Sequence, residues 1–443
     1  MEPYEVKKQA LIAQLAGSGT GGVRLGKPTS NLFRDRDQAT GAQLNVRNFN
    51  NVLGVEPVPG WVEVEGMTPY ETAVDATLNY GVMPTVVPQL KSITVGGAVS
   101  GVGIESSSVK FGLVHETVQE MEVLTGAGEV VLCTPHNDHR DLFRGLPNSY
   151  GTLGYILKLK VKTTPVKPYV RLQHIRHTDP ESYFREIEEI GGRDIDFLDG
   201  VVFAPNEMYI TVGNFEEQVP YSSDYTFEKI YYHSIRERHT DHLTTRNYLW
   251  RWDTDWFWCS KNLLAQNPIM RRIYGPARLN SVFYTRIMRW NAKWRVSGVL
   301  NRALGYHTES VIQDVDIPID HAPEFLRFFD TEIGIRPIWI CPIRSCGEQE
   351  FSLYSMDADK MYINFGFWDV VREREKRPAG FYNRKVEAKV EALGGIKSLY
   401  SDSYYTREKF WELYNRDTYQ TLKGKYDPDG RFDDLYRKCV LRK

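Results

Sequence analysis

Apolar residues recur at two spacings along this chain, and the switches between them mark out its elements. Residues 5–16 carry them at helical intervals and predict a short helix. From Leu44 to Glu65 the spacing becomes alternate (Leu44 and Val46, Val52 and Val55, Val62 and Val64). Pro57 and Gly60 punctuate the run, which predicts strands joined by a tight turn. Thr68–Asn79 returns to the helical period, with Thr68 as N-cap, Pro69 as first helical residue and Glu71 in the first turn. Val82–Val87 predicts a buried strand. Glu120–Thr125 and Val130–Cys133 predict a hairpin about Gly126 and Gly128, Asp141–Arg144 a short helix, and Gly151–Val161 a turn running into a strand.

Pro165 and Pro168 then interrupt the chain. A second unit opens at Tyr169–His174; its middle, 235–305, reads as helical, aromatic and basic, and later strands fall at Ile312–Ile317, Ile338–Ile340 and Tyr362–Phe367. The expected organisation is a first domain over 1–166, a second over 167–392 and a returning segment over 393–443. Strands and helices mixed in this order predict an α+β fold.

Between these elements, residues 88–112 follow neither period. Gly96, Gly97, Gly101 and Gly103 lead into Ser106, Ser107 and Ser108, and Gly112 closes the stretch. Glycines let backbone N–H groups approach a ligand closely, and hydroxyls beside them suit a pyrophosphate or a flat polar ring. A surface loop would lack the apolar frame of Ile93, Val95 and Val99 before and Val118–Leu124 after. A literal G-x-G-x-x-G at Gly17, Gly19 and Gly22 carries less weight, because it follows a helical pattern and opens no helix.

Composition narrows the function classes. Lys+Arg 55 against Asp+Glu 57 leaves no global basic field, which disfavours nucleic acid as a partner. Five scattered cysteines without a C-x-x-C disfavour a disulfide scaffold or a zinc site and fit a reducing compartment. Met1–Gly22 has no long apolar run, so neither signal peptide nor spanning helix is expected there. Six of the ten tryptophans (250, 252, 256, 258, 290 and 294) lie within 250–302, and from Trp256 to Arg302 there are nine basic residues and no acidic one. That stretch suits either a helical face packed by tryptophans or a surface resting on anionic lipid.

Thr94-Val-Gly-Gly-Ala98, Gly103-Ile-Glu-Ser-Ser-Ser108 and Lys110-Phe-Gly112 resemble the flavin loop of the vanillyl-alcohol-oxidase type of FAD enzymes. Within that superfamily the chain is most similar to the delta-24 sterol reductase branch and its bacterial relatives. Further matches follow in order: Gly151-Thr-Leu-Gly-Tyr-Ile156, Val311-Ile-Gln-Asp314 with Ile317 and Pro318, Pro337-Ile-Trp-Ile-Cys-Pro342, and Leu399-Tyr-Ser-Asp-Ser-Tyr404 followed by Arg407-Glu-Lys-Phe-Trp411. Together they cover 24–440. The resemblance implies a PCMH-type FAD-binding domain of two subdomains, an α+β substrate or cap domain, and a C-terminal segment returning to the FAD domain. Animal members of the branch carry a membrane anchor ahead of the flavin domain, and none is expected here.

The same resemblance implies where the cofactor lies. Lys27, Thr29, Ser30 and Asn31 fall where the family turns over the FAD pyrophosphate, with Lys27 and Pro28 where many relatives have glycines. Thr94, Gly96, Gly97, Gly103 and Ile104, with Ser106–Ser108, form the expected cradle; Gly151, Gly154 and Ile156 close over it. Residues 94–112 hold no His or Cys, so FAD is expected without a covalent bond, and His115 reads as a structural hydrogen-bonder.

The implied reaction reduces an isolated C=C of a lipid, a methylene-branched fatty acyl chain or a sterol. Such an alkene has no carbonyl to accept hydride, so a proton must arrive first or in concert with hydride from flavin N5. Tyr404 is the first candidate acid and Glu105 the second, either as a desolvated acid or as a cap of its loop; Asp402 lies in the same motif as Tyr404. NADPH is the expected electron donor. A cytoplasmic enzyme is expected, peripheral on anionic membrane through 250–302, with a lipid as substrate and no metal. The alternative is an FAD oxidase or dehydrogenase of an alcohol or hydroxy acid.

Overall fold

The computed structural model describes residues 2–19, 21–27, 41–294 and 305–442. Two antiparallel sheets organise it. In the first, the hairpin Val52–Glu56 and Trp61–Glu65 pairs with Tyr155–Pro165, which pairs in turn with Val118–Leu124 and then Val130–Cys133. Val82–Pro84 adds to the far end of Tyr155–Pro165. The second sheet has eight strands, in the order Thr240–Thr244, Tyr169–His177, Glu207–Glu216, Phe197–Ala204, Ile338–Arg344, Met361–Glu373, His307–Pro318 and Ile396–Lys397. The fold is α+β, as expected.

Each strand of the second sheet has two faces, and they differ in chemistry. Val311, Val315 and Ile317, with Ile338 and Ile340, and Ile363, Phe365 and Phe367, point to one side and pack on the helices Pro180–Gly191, Ala322–Glu332 and Phe381–Ala392. Fully burying each such side chain contributes about 1.5–3 kcal/mol, so this face holds the second domain together. The alternate residues (Ile312, Asp314 and Asp316; Trp339 and Cys341; Asn364, Gly366 and Trp368) turn towards the first domain.

The C-terminal segment closes the molecule. Its helix Arg416–Tyr426 lies against Arg140–Gly145, where Lys425 meets Asp141 at 2.7 Å and the Leu422 side chain fills the space over Gly145. Lys423 Nζ donates to the Thr152 carbonyl and Lys438 Nζ to that of Tyr150. Asp427 Oδ1 lies against the backbone of Gly126, where a Cβ would come within 2.0 Å of it. The segment opens differently from expectation, because Ile396–Lys397 pairs with Val315–Asp316 as an edge strand of the second sheet.

Other expectations shift locally. The helix expected over Thr68–Asn79 spans Tyr70–Leu78 with Pro69 in the cap position. The strand expected over Val82–Val87 spans Val82–Pro84, and one further bond, from Thr85 N to the Lys162 carbonyl, follows it. Val95–Ser100, expected as loop, forms a short helix capped by Thr94 Oγ1, which accepts from Gly97 N at 3.2 Å. The 235–305 stretch contains the strand Thr240–Thr244 among its helices.

His115 is buried with its ring edge-on to Phe351 at 4.4 Å, and among the described residues its Nδ1 has no hydrogen-bond partner. It therefore packs instead of hydrogen-bonding through that atom. Burial pushes its pKa from 6.5 down to about 3. The unfolded chain binds a proton at this residue that the folded one refuses, so stability falls as pH drops from 6.5 towards 3. His115→Leu should remove up to about 4–5 kcal/mol of that acid sensitivity; urea unfolding at stepped pH measures it, and parallel curves for the two proteins would refute the assignment.

Candidate functional site at the joint of the two domains

Three backbone segments meet at the joint. Gly66 N donates to the Leu157 carbonyl, Gly96 N to the Gly66 carbonyl and Val95 N to the Thr68 carbonyl. A Cβ on Gly66 would stand 2.0 Å from the Ile156 oxygen, and one on Gly96 would stand 2.7 Å from the Gly66 oxygen. Only glycine allows this stacking, which fixes the 94–103 segment against the 151–156 turn. Gly154 serves the same end, since a Cβ there would meet Val123 at 2.5 Å. The predicted cofactor residues of both motifs are thus brought together. Gly66, which their packing requires, was not singled out in the sequence; its signal is Glu65-Gly-Met-Thr68 between a strand and a helix start.

Backbone strain concentrates in the same place. Val102 has φ +58°, Asn148 +62° and Tyr150 +51°. A β-branched residue in the left-handed region costs about 1–3 kcal/mol and persists only where its surroundings impose it. Tyr150 N donates to Ser100 O, and its hydroxyl to Gly101 O at 3.1 Å. The two strained turns hold each other.

Glu105 and the serines after it form the joint itself. Arg251 is fully buried and donates from Nη1 to Glu105 Oε1 at 2.9 Å and from Nη2 to Asp199 Oδ2 at 2.8 Å. Its guanidinium stacks 4.0 Å from the Tyr248 ring centre. Glu105 Oε2 also accepts from Gln89 at 2.9 Å and from Ser106 N, and Trp339 Nε1 donates to Asp199 at 3.2 Å. Burial pushes the Glu105 carboxyl up, against the pull of Arg251. Ser106 Oγ pairs with Tyr248 OH at 2.9 Å, Ser107 Oγ donates to Thr85 O, and Ser108 Oγ accepts from Glu105 N. All three hydroxyls are used within the protein, and Ile104 is buried beside them.

The floor of the joint is the polar face of the second sheet. Asp316 accepts from Asn364 at 2.7 Å and from Tyr354, and its pKa rises from 3.8 to about 6 through burial. Asp314 bonds to Tyr400, and burial with Asp316 nearby pushes it well above the usual carboxylate range. Trp368 Nε1 donates to Tyr400 OH at 2.9 Å. Behind them stands an aromatic wall: Trp368 lies 4.3 Å from Phe257 and 5.5 Å from Trp258, and Trp252 stacks on Phe257 at 4.9 Å.

Other candidates lie elsewhere. Tyr404 sits between Arg384 and Arg442; its hydroxyl accepts from Arg442 at 2.7 Å, and Gly380 abuts its ring. Asp402 faces Arg442 at 3.4 Å. Neither residue has a hydrogen bond or ion pair among those described that joins it to the 94–112 loop. Lys27 follows the short parallel pair Val23–Leu25 and Ala42–Leu44; Thr29, Ser30 and Asn31 lie outside the described residues. Trp250, Trp252, Trp256 and Trp258 are buried, so these rings belong to the core and not to an outer surface. A polar cavity of about 650 Å³ opens between Arg144, Glu350 and Trp411–Thr418, but it includes none of the joint residues.

Residues 12–134 match the family model of the FAD binding domain. Over 88% of its length the chain is 27% identical to the Delta(24)-sterol reductase of Mus musculus, covering 76% of that protein. It is 24% identical to the Arabidopsis thaliana Delta(24)-sterol reductase, covering 91% of this chain and 77% of that one. A shorter likeness, 26% over 39% of this chain and 33% of the relative, joins it to cytokinin dehydrogenase 9 of Oryza sativa subsp. japonica. The chain therefore carries a PCMH-type FAD binding domain and resembles Delta(24)-sterol reductases across most of its length.

Removing Arg251 would leave Glu105 and Asp199 buried without their shared cation. Arg251→Met should lower unfolding free energy by about 3–5 kcal/mol, and adding Glu105→Gln should restore part of that loss. Arg251→Lys should recover less than half, because one ammonium cannot span two carboxylates as the fork does. Denaturant unfolding of the four proteins measures this, and a single variant as stable as its parent would dismiss the joint as a structural clamp.

Proposed function

We propose that this chain is an FAD-dependent reductase of an isolated C=C bond in a lipid, either a methylene-branched fatty acyl chain or a sterol, drawing electrons from NADPH. The observation that carries the reading is the meeting of the strained 100–102 and 148–150 turns with a floor of carboxyl, phenol and indole groups. The resemblance to Delta(24)-sterol reductases over 88% of the chain supports the reading.

The residues suit FAD. Ser149 Oγ, Ser401 Oγ and Thr85 Oγ1 are buried, and among the described residues they have no hydrogen-bond partner. Asn148 Oδ1 accepts from Leu399 N at 3.1 Å, which brings two of these hydroxyl-bearing segments side by side. Such hydroxyls await a polar ligand. Tyr150, Ser100, Gly101, Asp314 and Tyr400 keep partial access, as residues lining a crevice do. The 94–104 segment, the 148–156 turn and Ser401 would hold the cofactor, together with the segment that follows Lys27. FAD supplies hydride chemistry to such a site. No His or Cys in 94–112 offers an attachment point, which supports non-covalent binding.

The chain's own part is to exclude water, orient an apolar substrate and provide a proton. Trp368, Phe257, Trp258 and Trp339 form a wall that shelters an alkene and tolerates the positive charge that protonation develops. In an anaerobic experiment, NADPH should bleach the bound flavin, and a methylene-branched acyl lipid or a Δ24 sterol should restore its colour. A protein reoxidised only by oxygen, or bleached by an alcohol, would favour the oxidase reading.

A peripheral position on the inner face of a membrane follows from the substrate class. Leu264, Ile269, Ile273 and Trp290 are 64, 72, 63 and 56% exposed, with Arg272, Arg278 and Arg286 exposed among them. Apolar tips ringed by cations suit an anionic lipid surface. The chain should float with vesicles containing phosphatidylglycerol, detach in high salt and lose binding in Ile269→Glu/Ile273→Glu; failure to float with either anionic or neutral vesicles would end the proposal.

A further inference from the structure

We propose that Tyr400 and Asp314 form the proton-delivering pair of this site, Tyr400 handing its hydroxyl proton to the alkene carbon and Asp314 replacing it. The inference rests on the reductase reading above and names its acid. Four carboxyls reach the joint, and their partners separate them. Asp199 accepts from Arg251 and from Trp339. Glu105 accepts from Arg251, Gln89 and Ser106 N, so both its oxygens are committed. Asp316 is held by Asn364 and Tyr354. Asp314 bonds to Tyr400 through one oxygen, while Oδ1 is buried and, among the described residues, has no hydrogen-bond partner.

The cross-strand neighbours make room for this carboxyl. Asp314 pairs with Gly366, and a Cβ there would stand 2.9 Å from Asp314 Oδ1 and 2.6 Å from the Trp368 ring. Trp368 donates to the Tyr400 oxygen, which leaves the Tyr400 O–H to point at Asp314 or at a substrate. Both residues are half-buried, so the pair is not sealed in the core. Tyr150, whose hydroxyl holds Gly101, stands close enough to Tyr400 to disfavour its ionisation. That contact links the pair to the predicted cofactor segment.

The step balances. The π electrons of the alkene form a C–H bond with the Tyr400 proton, the Asp314 carboxylic proton passes to the Tyr400 oxygen, and the second C–H bond takes hydride from the reduced cofactor. Asp314 ends as carboxylate and regains a proton from solvent, and NADPH restores the two electrons. Tyr400 never becomes a tyrosinate, which burial strongly opposes. The ionisable groups facing Asp314 are Tyr400 from the returning segment, Asp316 from its own strand and, beyond Asp316, Tyr354; Lys397 is engaged by Glu387.

The test compares the parent with Tyr400→Phe and Asp314→Asn, each purified with FAD. NADPH should bleach all three at similar rates, and anaerobic reoxidation by the alkene should slow by about 10²–10⁴-fold in both variants. The parent's reoxidation should fall as pH rises through the elevated acid pKa, and Asp314→Asn should lose that dependence. A second readout needs no turnover. A carboxyl raised in the fold makes stability fall as pH rises above the ordinary carboxylate range, and Asp314→Asn should flatten that slope in urea unfolding. If Asp314→Asn fails to fold, Tyr400→Phe, which removes one oxygen, decides. Reoxidation within threefold of the parent, or bleaching lost in equal measure, would overturn the assignment while leaving the reductase reading intact. A parent that no alkene reoxidises would bring down both.

Discussion

One guanidinium between two carboxylates ties this protein together. Arg251 reaches back to Glu105 in the glycine–serine loop of the first domain and across to Asp199 in the sheet of the second. All three groups are out of water, so the arrangement gains little net stability over an apolar joint of the same shape. Its value is specificity of position. A fork that must satisfy two carboxylates at once permits one relative placement of loop and sheet, and an unmet charge would punish any other. The flanking hydrogen bonds from Gln89, Ser106 N and Trp339 add directions to that placement. The strained turns at Val102 and Tyr150 can persist because their surroundings cannot relax.

The second sheet owes its role to the two-residue period of a strand. On one face its residues are aliphatic and phenylalanine, and three helices cover them. On the other, the same strands present Asp, Asn, Trp, Cys and Gly to the first domain. A sheet with one packed face and one chemical face needs no extra scaffolding for a site, since every second residue is already aimed. The aromatic cluster from Trp252 to Trp368 fills the space between the chemical face and Arg251, so the lid of the joint and the wall of the crevice are one structure.

Much of this was legible in the residues. The strands expected within 44–65, 120–133 and 151–161 fall in the first sheet, apart from Leu44, which pairs with Leu25, and the Gly-Ser stretch and the Gly151–Ile156 turn lie close together. Other features depend on long-range pairing that no local pattern reports. Ile396–Lys397 is too short to be seen as a strand, and Arg251 is one basic residue among many. Trp and Arg side by side suit a lipid surface and a buried cation–π joint equally, and only burial separates the two: Trp250, Trp252, Trp256 and Trp258 are buried and Trp290 is exposed. The closing motif drew attention to Tyr404, whereas the acid proposed above is Tyr400 of the same segment. Tyr404 is turned outward to Arg384 and Arg442, while Tyr400, four residues earlier, turns in to Trp368. A signal was available in Gln313-Asp-Val-Asp316, where a strand places two carboxyls on the face opposite its core residues.

How those carboxyls differ shows what surroundings do to one chemical group. Glu105, Asp316 and Asp314 all lose water, and each answers differently. Glu105 has a cation and two further donors, which hold its oxygens in fixed directions and suit it to structure. Asp316 has two neutral donors, which leave its pKa at about 6, an intermediate case. Asp314 has the fewest partners and Asp316 as a neighbour, so its neutral form is favoured most strongly. Of the two aspartates, the one with fewer donors is the readier to keep its proton. Asp314, which keeps it better, is also half-buried where Asp316 is fully buried, and this coincidence of a retained proton with access supports the role proposed for it.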